Sequence, residues 1–195
     1  MVRVLAPIAA FELGNVAATL LILRATRLLE DGGASPTRAA TVAIVLYAAH
    51  NAAASVAALV GGRLVDRTGG RPVLAAAAGA YLLAYLTFAV GPGGWGALAA
   101  AFVVAGGGIG LAETAESTLV AAEAPPALRA QAFGVLGLVQ AFGDLGSTLV
   151  AGLLWSAVSP LVAFGYAAAW MLVAGVSALG AHRRQAAATR GVEHL

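Results

Sequence analysis

Residues 39–61 of the chain read AATVAIVLYAAHNAAASVAALVG, and residues 62–72 continue with GRLVDRTGGRP. The first stretch is apolar and contains no charged residue, whereas the second is short and rich in glycine and arginine. A helix that crosses about 30 Å of hydrocarbon needs about 20 mostly apolar residues. The two stretches together therefore predict a transmembrane helix that is followed by a basic loop at the membrane surface.

The composition of the whole chain agrees with this prediction. Hydrophobic residues make up 61% of its 195 residues and charged residues only 10%, and the mean hydropathy is +0.89. Because a soluble protein carries about 25% charged residues, the chain lacks the side chains for a water-exposed surface. We expect an all-α protein in a lipid bilayer. The absence of cysteine excludes disulfides, thiolate metal sites and cysteine nucleophiles.

Five further runs resemble the first in length and apolar character, and glycine, proline and charged residues separate them. We predict one domain of six transmembrane helices over residues 1–181 and a polar cytoplasmic tail over residues 182–195. The six predicted spans are residues 4–23, 39–61, 72–90, 95–119, 130–155 and 161–181.

The arginines predict the orientation of the spans, because cytoplasmic loops are enriched in Lys and Arg. A cytoplasmic N-terminus leaves Arg24, Arg27 and Arg38 outside. It places eight arginines inside: Arg3, Arg63, Arg67, Arg71, Arg129, Arg183, Arg184 and Arg190. We expect a multi-pass protein of the cell (inner or plasma) membrane with both termini in the cytoplasm. Arginines dispersed in this way are not a nucleic-acid-binding surface.

Polar side chains lie inside four of the spans at helical spacing. Such residues are unfavourable in lipid and commonly mark substrate or ion pathways. Spans three and six carry no charged side chain, so we expect the other four spans to line a polar path. These residues are Glu12, Asn15 and Thr19; Tyr47, His50, Asn51 and Ser55; Glu113 and Glu116; and Gln140, Asp144 and Thr148.

The pattern of span one recurs in span four. Glu12 is followed three residues later by Asn15, and Glu113 is followed three residues later by Glu116. If three spans form one unit, the two units have inverted topology, as in many transporters. The recurrence therefore predicts two inverted three-helix repeats.

Two other features of the sequence indicate contacts between helices and not a binding or proton-transfer site. Residues 106–110 read GGGIG, but no lysine follows and the segment lies in an apolar helix, which favours close helix contact over a phosphate loop. His50 among alanines favours a packing hydrogen bond over a proton carrier. The three histidines of the chain form no visible metal-binding cluster, and we predict neither a metal nor another cofactor.

The loop after span two carries a recognisable motif. Residues 62–71 resemble the cytoplasmic signature of the major facilitator superfamily, Gly-x-x-x-Asp-(Arg/Lys)-x-Gly-(Arg/Lys)-(Arg/Lys). The matching residues are Gly62, Asp66, Arg67, Gly69 and Arg71. Gly70 stands where a basic residue is usual. A short basic turn that only reflects the positive-inside rule is the alternative interpretation.

Two further stretches resemble the C-terminal half of bacterial drug-efflux members of this family. Residues 11–15, FELGN, are similar to their seventh helix, and residues 119–129, LVAAEAPPALR, to the connection between their tenth and eleventh helices. The resemblance implies that spans one, two, four and five line a central cavity. Spans three and six would support them from outside.

The intramembrane polar residues are the predicted site. We expect five of them to bind substrate or couple protons, namely Glu12, Asn15, Asn51, Gln140 and Asp144. A purely structural hydrogen-bonding role is the alternative for Glu12 and Asp144.

A second group of residues is predicted to control opening at the cytoplasmic side. The motif residues would form a lock that opens and closes. Glu113 and Glu116 would have a structural or gating role, with Arg67 or Arg129 as partners.

The resemblance implies a transporter that moves a small molecule by alternating access, not an enzyme. Proton coupling is expected because no nucleotide-binding motif is present. Family members pair two six-helix halves, so the chain would be a fragment, pair with its own copy or join a separate N-terminal half. A membrane assembly or regulatory subunit that keeps the fold is the rival interpretation.

Overall fold

The computed structural model describes the backbone of residues 2–91 and 94–192 and the side chains of residues 4–91 and 94–184. Every regular element in these ranges is helical. The helices are α1 (Val2–Glu12), α2 (Ala18–Asp31), α3 (Pro36–Thr68), α4 (Gly70–Val90), α5 (Trp95–Glu123), α6 (Arg129–Ala157) and α7 (Pro160–Val192), with a short 3-10 helix (Pro126–Leu128) before α6.

Five of the helices, α3 to α7, are long and apolar enough to cross a membrane. They correspond to predicted spans two to six, so the prediction of an all-α multi-pass protein is confirmed. Local signals explain several of their ends. Ser35 caps α3 by accepting a hydrogen bond from the Arg38 amide, and Pro36 follows at the first helical position, where proline is favoured. Gly91 ends α4 in the left-handed conformation.

The first span is not the single helix predicted over residues 4–23. α1 ends at Glu12, α2 begins at Ala18, and residues 13–17 between them are not helical. α1 has 11 residues and α2 has 14, so at 1.5 Å per residue they are only about 16 and 21 Å long. Neither helix spans a hydrocarbon layer of about 30 Å alone. The length and largely apolar character of residues 4–23 predicted one helix, although Gly14 and Asn15 are residue types that often interrupt helices.

The predicted loop over residues 62–71 is also much shorter than expected. α3 continues through Thr68, and Gly69 alone separates it from α4. Gly69 has φ +84°, a conformation that glycine adopts without the steric penalty of a Cβ atom. The first three motif residues therefore lie on the last turns of α3 and not in a loop.

The C-terminal helix crosses the predicted domain boundary. α7 remains helical through residue 192, so the boundary at residue 181 does not coincide with a helix end. Residues 193–195 of the predicted tail lie outside the described residues. The division into a membrane domain and a cytoplasmic tail stays a prediction.

Glycines allow α5 to pack closely against α3. A Cβ atom on Gly106 would overlap the backbone of His50, and one on Gly110 would overlap the backbone of Ala54. The interpretation of residues 106–110 as a packing segment is therefore confirmed. His50 is buried, and its Nδ1 lies 3.1 Å from the Phe102 carbonyl oxygen, which confirms its predicted packing role.

α4 lies between α5 and α7 and is more than an outer support. Tyr85 and Phe88 of α4 pack against Phe164 of α7, and Phe88 also packs against Phe102 of α5. Tyr81 of α4 reaches the polar interior. The expectation that this span supports the others from outside therefore holds except at Tyr81, which lines the central cavity.

Candidate functional site

A cavity of about 670 Å³ lies among α1, α2, α3, α5 and α6. All five predicted substrate or coupling residues line it: Glu12, Asn15, Asn51, Gln140 and Asp144. Asn51 lies near the middle of α3 and Asp144 near the middle of α6, so the cavity lies about halfway along the spans. Its volume is within the range of small-molecule sites, about 300–1,000 Å³.

One amide side chain joins the two carboxyl groups that were predicted for coupling. Asn15 Nδ2 donates hydrogen bonds to Glu12 Oε2 at 3.2 Å and to Asp144 Oδ1 at 2.8 Å. Asn15 lies in the break after α1, whereas Asp144 lies on α6. The bridge therefore connects the end of one helix with the middle of another.

A second amide extends this network to α5. Gln140 Nε2 donates to Glu116 Oε2 at 2.9 Å, and Glu116 is 1% exposed. Glu116 and Asp144 both lie close enough to Glu12 to interact with it electrostatically. The arrangement is a row of three carboxyl groups held by two amides, which we call the carboxyl network (Glu12, Asn15, Glu116, Gln140 and Asp144).

The predicted gating partners are placed differently from the expectation. Glu113 lines the central cavity, and Glu116 bonds to Gln140. Among the described residues, no ion pair joins either glutamate to Arg67 or Arg129. Arg129 is exposed at the first position of α6. Both glutamates lie in the polar interior, and a structural or gating role for them and for Arg129 stays a prediction.

Carboxyl groups dominate the charge of the cavity. Of its described lining residues, three have carboxyl groups, Glu12, Glu113 and Asp144; none is Lys or Arg, and His50 is the one lining side chain that can become a cation. Repulsion between like charges is stronger in a medium of low dielectric constant than in water. A proton or a cationic group in the cavity reduces this repulsion, so the site suits cations and protons better than anions.

Three side chains stabilise the helix break by binding its free backbone groups. The Tyr166 hydroxyl donates to the Leu13 carbonyl oxygen at 3.0 Å. The amide of Val16 donates to Tyr85 Oη at 3.1 Å, and that of Ala17 donates to Thr148 Oγ1 at 2.9 Å. Irregular backbone within a membrane persists only where such partners satisfy it.

Tyr85 and Tyr166 are not among the functional candidates that the sequence predicts. The only available signal was that both are polar side chains in spans without charged residues. Gly143 was also missed as a structural requirement. A Cβ atom on Gly143 would overlap Glu12, so glycine permits α6 to contact the end of α1 directly.

The motif residues surround the turn between α3 and α4. A second cavity of about 550 Å³ adjoins this turn and is lined by Asp66, Gly69, Arg71, Glu123 and His182, among others. Arg67 is exposed beside it. Gly62 has no neighbouring atom within 4 Å of a Cβ position, so close helix packing does not require glycine there.

The structure explains why the chain departs from the motif at Gly70. Gly70 is buried at the start of α4, and a Cβ atom there would lie 2.7 Å from Leu119 Cγ. The basic side chain that is usual at this position does not fit against α5. The close contact between α4 and α5 at Gly70 therefore accounts for the absence of a basic residue at this position.

Comparison with known proteins identifies the family. A protein-family model described as Major Facilitator Superfamily matches residues 5–194, nearly the whole chain. No curated protein sequence matches the chain significantly. Because the matched family consists of transporters, the family match supports the expectation that the protein is not an enzyme. The motif at the turn and the match over nearly all residues lead to one conclusion: this chain belongs to the Major Facilitator Superfamily.

Proposed function

We propose that the chain is the C-terminal six-helix half of a secondary transporter that moves a small molecule across the cell membrane by alternating access. Drug-efflux members of the family are its proposed relatives. The observation that supports this most is the carboxyl network, which lies in a cavity about halfway along the spans. Ionisable residues at this depth are unfavourable unless they serve a pathway.

Protons are the proposed coupling ion. The carboxyl groups of Glu12 and Asp144 share one amide donor, and Glu12 also interacts with Glu116. A proton and a cationic substrate reduce the same repulsion, so binding of one weakens binding of the other. This competition is the basis for exchanging a substrate for protons.

The finer architecture is also part of the proposal. We infer that the chain consists of two inverted repeats of three spans each, with both termini in the cytoplasm; α1 and α2 together form the first span of one repeat, α3 and α4 complete it, and α5 to α7 form the other. The recurring polar pairs, Glu12 with Asn15 and Glu113 with Glu116, support the repeats. The arginine distribution supports the orientation.

A second six-helix half is the proposed partner, either a copy of this chain or a separate N-terminal half. In α3 and in α6, only 17% of the most apolar 18-residue segment is buried. In α4, α5 and α7, the buried share of the corresponding segment is 39–50%. α3 and α6 also border the polar cavity. Their exposed faces are therefore the surfaces that a second half would cover.

The mass of the purified complex tests the self-paired arrangement. We expect twice the chain mass of 19.2 kDa in detergent, after subtraction of bound detergent, because an unpaired cavity exposes carboxyl groups to lipid. Light scattering combined with size-exclusion chromatography measures this mass. A single-chain mass would contradict self-pairing and assign the second half to another chain.

Flux through reconstituted vesicles tests transport itself. With an imposed pH gradient, we expect the purified complex to raise the flux of tetraphenylphosphonium above that in protein-free vesicles, because both tetraphenyl ions also cross bare lipid, and not to raise that of tetraphenylborate, which has the same shape and the opposite charge. Replacement of Asp66 by Ala should reduce this flux sharply without reducing membrane insertion, because Asp66 lies in the motif at the proposed cytoplasmic lock.

Gly79→Ala is the control, since it lies outside the motif, on α4, at a position with free space. Its flux should equal that of the unchanged protein. If both the unchanged protein and Asp66→Ala insert normally and carry neither ion, the result favours the assembly or regulatory subunit.

A further inference from the structure

The break at residues 13–17 is held from two sides. From α7, Tyr166 binds the Leu13 carbonyl, and from α4, Tyr85 binds the Val16 amide. From α6, Thr148 accepts a hydrogen bond from the Ala17 amide. Ala17 is the residue directly before α2, so this bond holds the backbone where the second half-helix begins.

α6 contacts the break at three successive points. Gly143 packs directly against Glu12, Asp144 accepts a hydrogen bond from the Asn15 side chain, and Thr148 accepts one from Ala17. Residues four apart on a helix lie on the same face, so Asp144 and Thr148 present their oxygens to the same side. The bridge by Asn15 is therefore adjacent to the bond made by Thr148.

We propose that Thr148 is a positioning residue of the transport site. By holding the Ala17 amide, it holds Asn15, two residues earlier, in the position where its amide bridges Glu12 and Asp144. The hydroxyl suits this role because it accepts the hydrogen bond of the Ala17 amide at 2.9 Å. The effect of Thr148 on transport rests on the proposed function. Its effect on the break at residues 13–17 does not, and it is tested separately.

The position of Thr148 also links α6 with α2. The Arg27 guanidinium of α2 lies 5.1 Å from the ring centroid of Trp155 on α6, so the two helices contact each other a second time nearer the outer end of α2. The Thr148 bond is therefore one of two contacts that hold α6 against α2 and the break.

Hydrogen–deuterium exchange of the purified complex tests the structural part. In Thr148→Val, which keeps the shape and removes the acceptor, we expect exchange of the peptide over residues 13–20 to accelerate about two- to tenfold, the range for one lost hydrogen bond. Thr148→Ser keeps the hydroxyl and should restore slow exchange. Unchanged exchange in Thr148→Val, or an equal acceleration in all helices, would overturn the proposal.

Ser147→Ala provides a control on the same helix. Ser147 is fully buried, and its hydroxyl makes no hydrogen bond with the described residues, so its removal should leave exchange over residues 13–20 unchanged.

The transport part is tested with the same variants. In Thr148→Val, the apparent KM for tetraphenylphosphonium should rise and its pH profile should shift, with rescue by Thr148→Ser. A changed exchange rate with unchanged KM and pH profile would limit Thr148 to a structural role and overturn its positioning role. If the unchanged protein carries no ion, the proposed function fails, whereas the exchange result still decides whether Thr148 holds the break.

Discussion

Replacement of Glu12 by Gln is expected to reduce pH-gradient-driven flux of tetraphenylphosphonium to the background rate. Glutamine keeps the size of the side chain and an oxygen that accepts from Asn15, so the bridge to Asp144 should persist. What the variant loses is a group that binds and releases a proton. Flux without a pH gradient, measured as exchange between labelled and unlabelled substrate, should therefore continue.

The corresponding change on α6 should behave in the same way. Asp144→Asn keeps an oxygen for Asn15 Nδ2, which lies 2.8 Å from Asp144 Oδ1, and likewise removes the exchangeable proton. Comparison of flux with and without the gradient separates coupling from substrate binding. An unchanged pH dependence in both variants would remove both residues from the coupling mechanism.

Glu113→Gln is the matched control for these two variants. Glu113 lines the same cavity, and no hydrogen bond joins its side chain to the carboxyl network within the described residues. We expect weaker binding of the cation, because one negative charge is lost, but a retained response to the pH gradient. Loss of the response in Glu113→Gln alone would instead place the coupling proton on Glu113.

Replacement of Gly106 by Val is expected to destabilise the protein more than any other single change discussed above. The new Cβ atom would overlap the His50 backbone, and backbone atoms cannot move aside as a flexible side chain does. Overpacking in a close-packed core costs about 1–3 kcal/mol, occasionally more, and we expect the upper part of that range. Thermal unfolding in detergent, followed by tryptophan fluorescence, measures the loss.

Gly107→Val isolates the effect of the contact. Gly107 is the next residue of the same helix, and no atom lies within 4 Å of its Cβ position. Both variants change helix propensity equally. The difference between their unfolding midpoints therefore reports the α3–α5 contact alone. Equal shifts in the unfolding midpoint of the two variants would contradict the packing role of Gly106.

The candidate site could be predicted in part because helical spacing is a local property. Asn51 on α3, and Gln140 and Asp144 on α6, each lie on the face that the spacing indicated, and these faces meet in one cavity. The partners within that cavity could not be predicted. The sequence suggested arginine partners for Glu116, whereas its partner is Gln140, which packing brings within 2.9 Å.

For the motif at the turn between α3 and α4, too, the sequence indicated one part and the tertiary structure explained another. Its spacing indicated the family, and the family match over residues 5–194 agrees with that interpretation. The departure at Gly70 had no explanation in the sequence. It is explained only by Leu119, which lies on another helix and occupies the space of a side chain at that position.

The amino-acid sequence by itself determined the all-α membrane class and five long spans, because hydropathy and the 3.6-residue period act over short distances along the chain. The tertiary structure alone decided that the first span is broken. Gly14 and Asn15 permit a break in residues 13–17 but do not require one, and the side chains that satisfy its backbone come from 69 to 153 residues away. An interrupted helix is stable in a membrane only where packing supplies such partners, so the break, and with it the geometry around Asn15, depends on the whole fold.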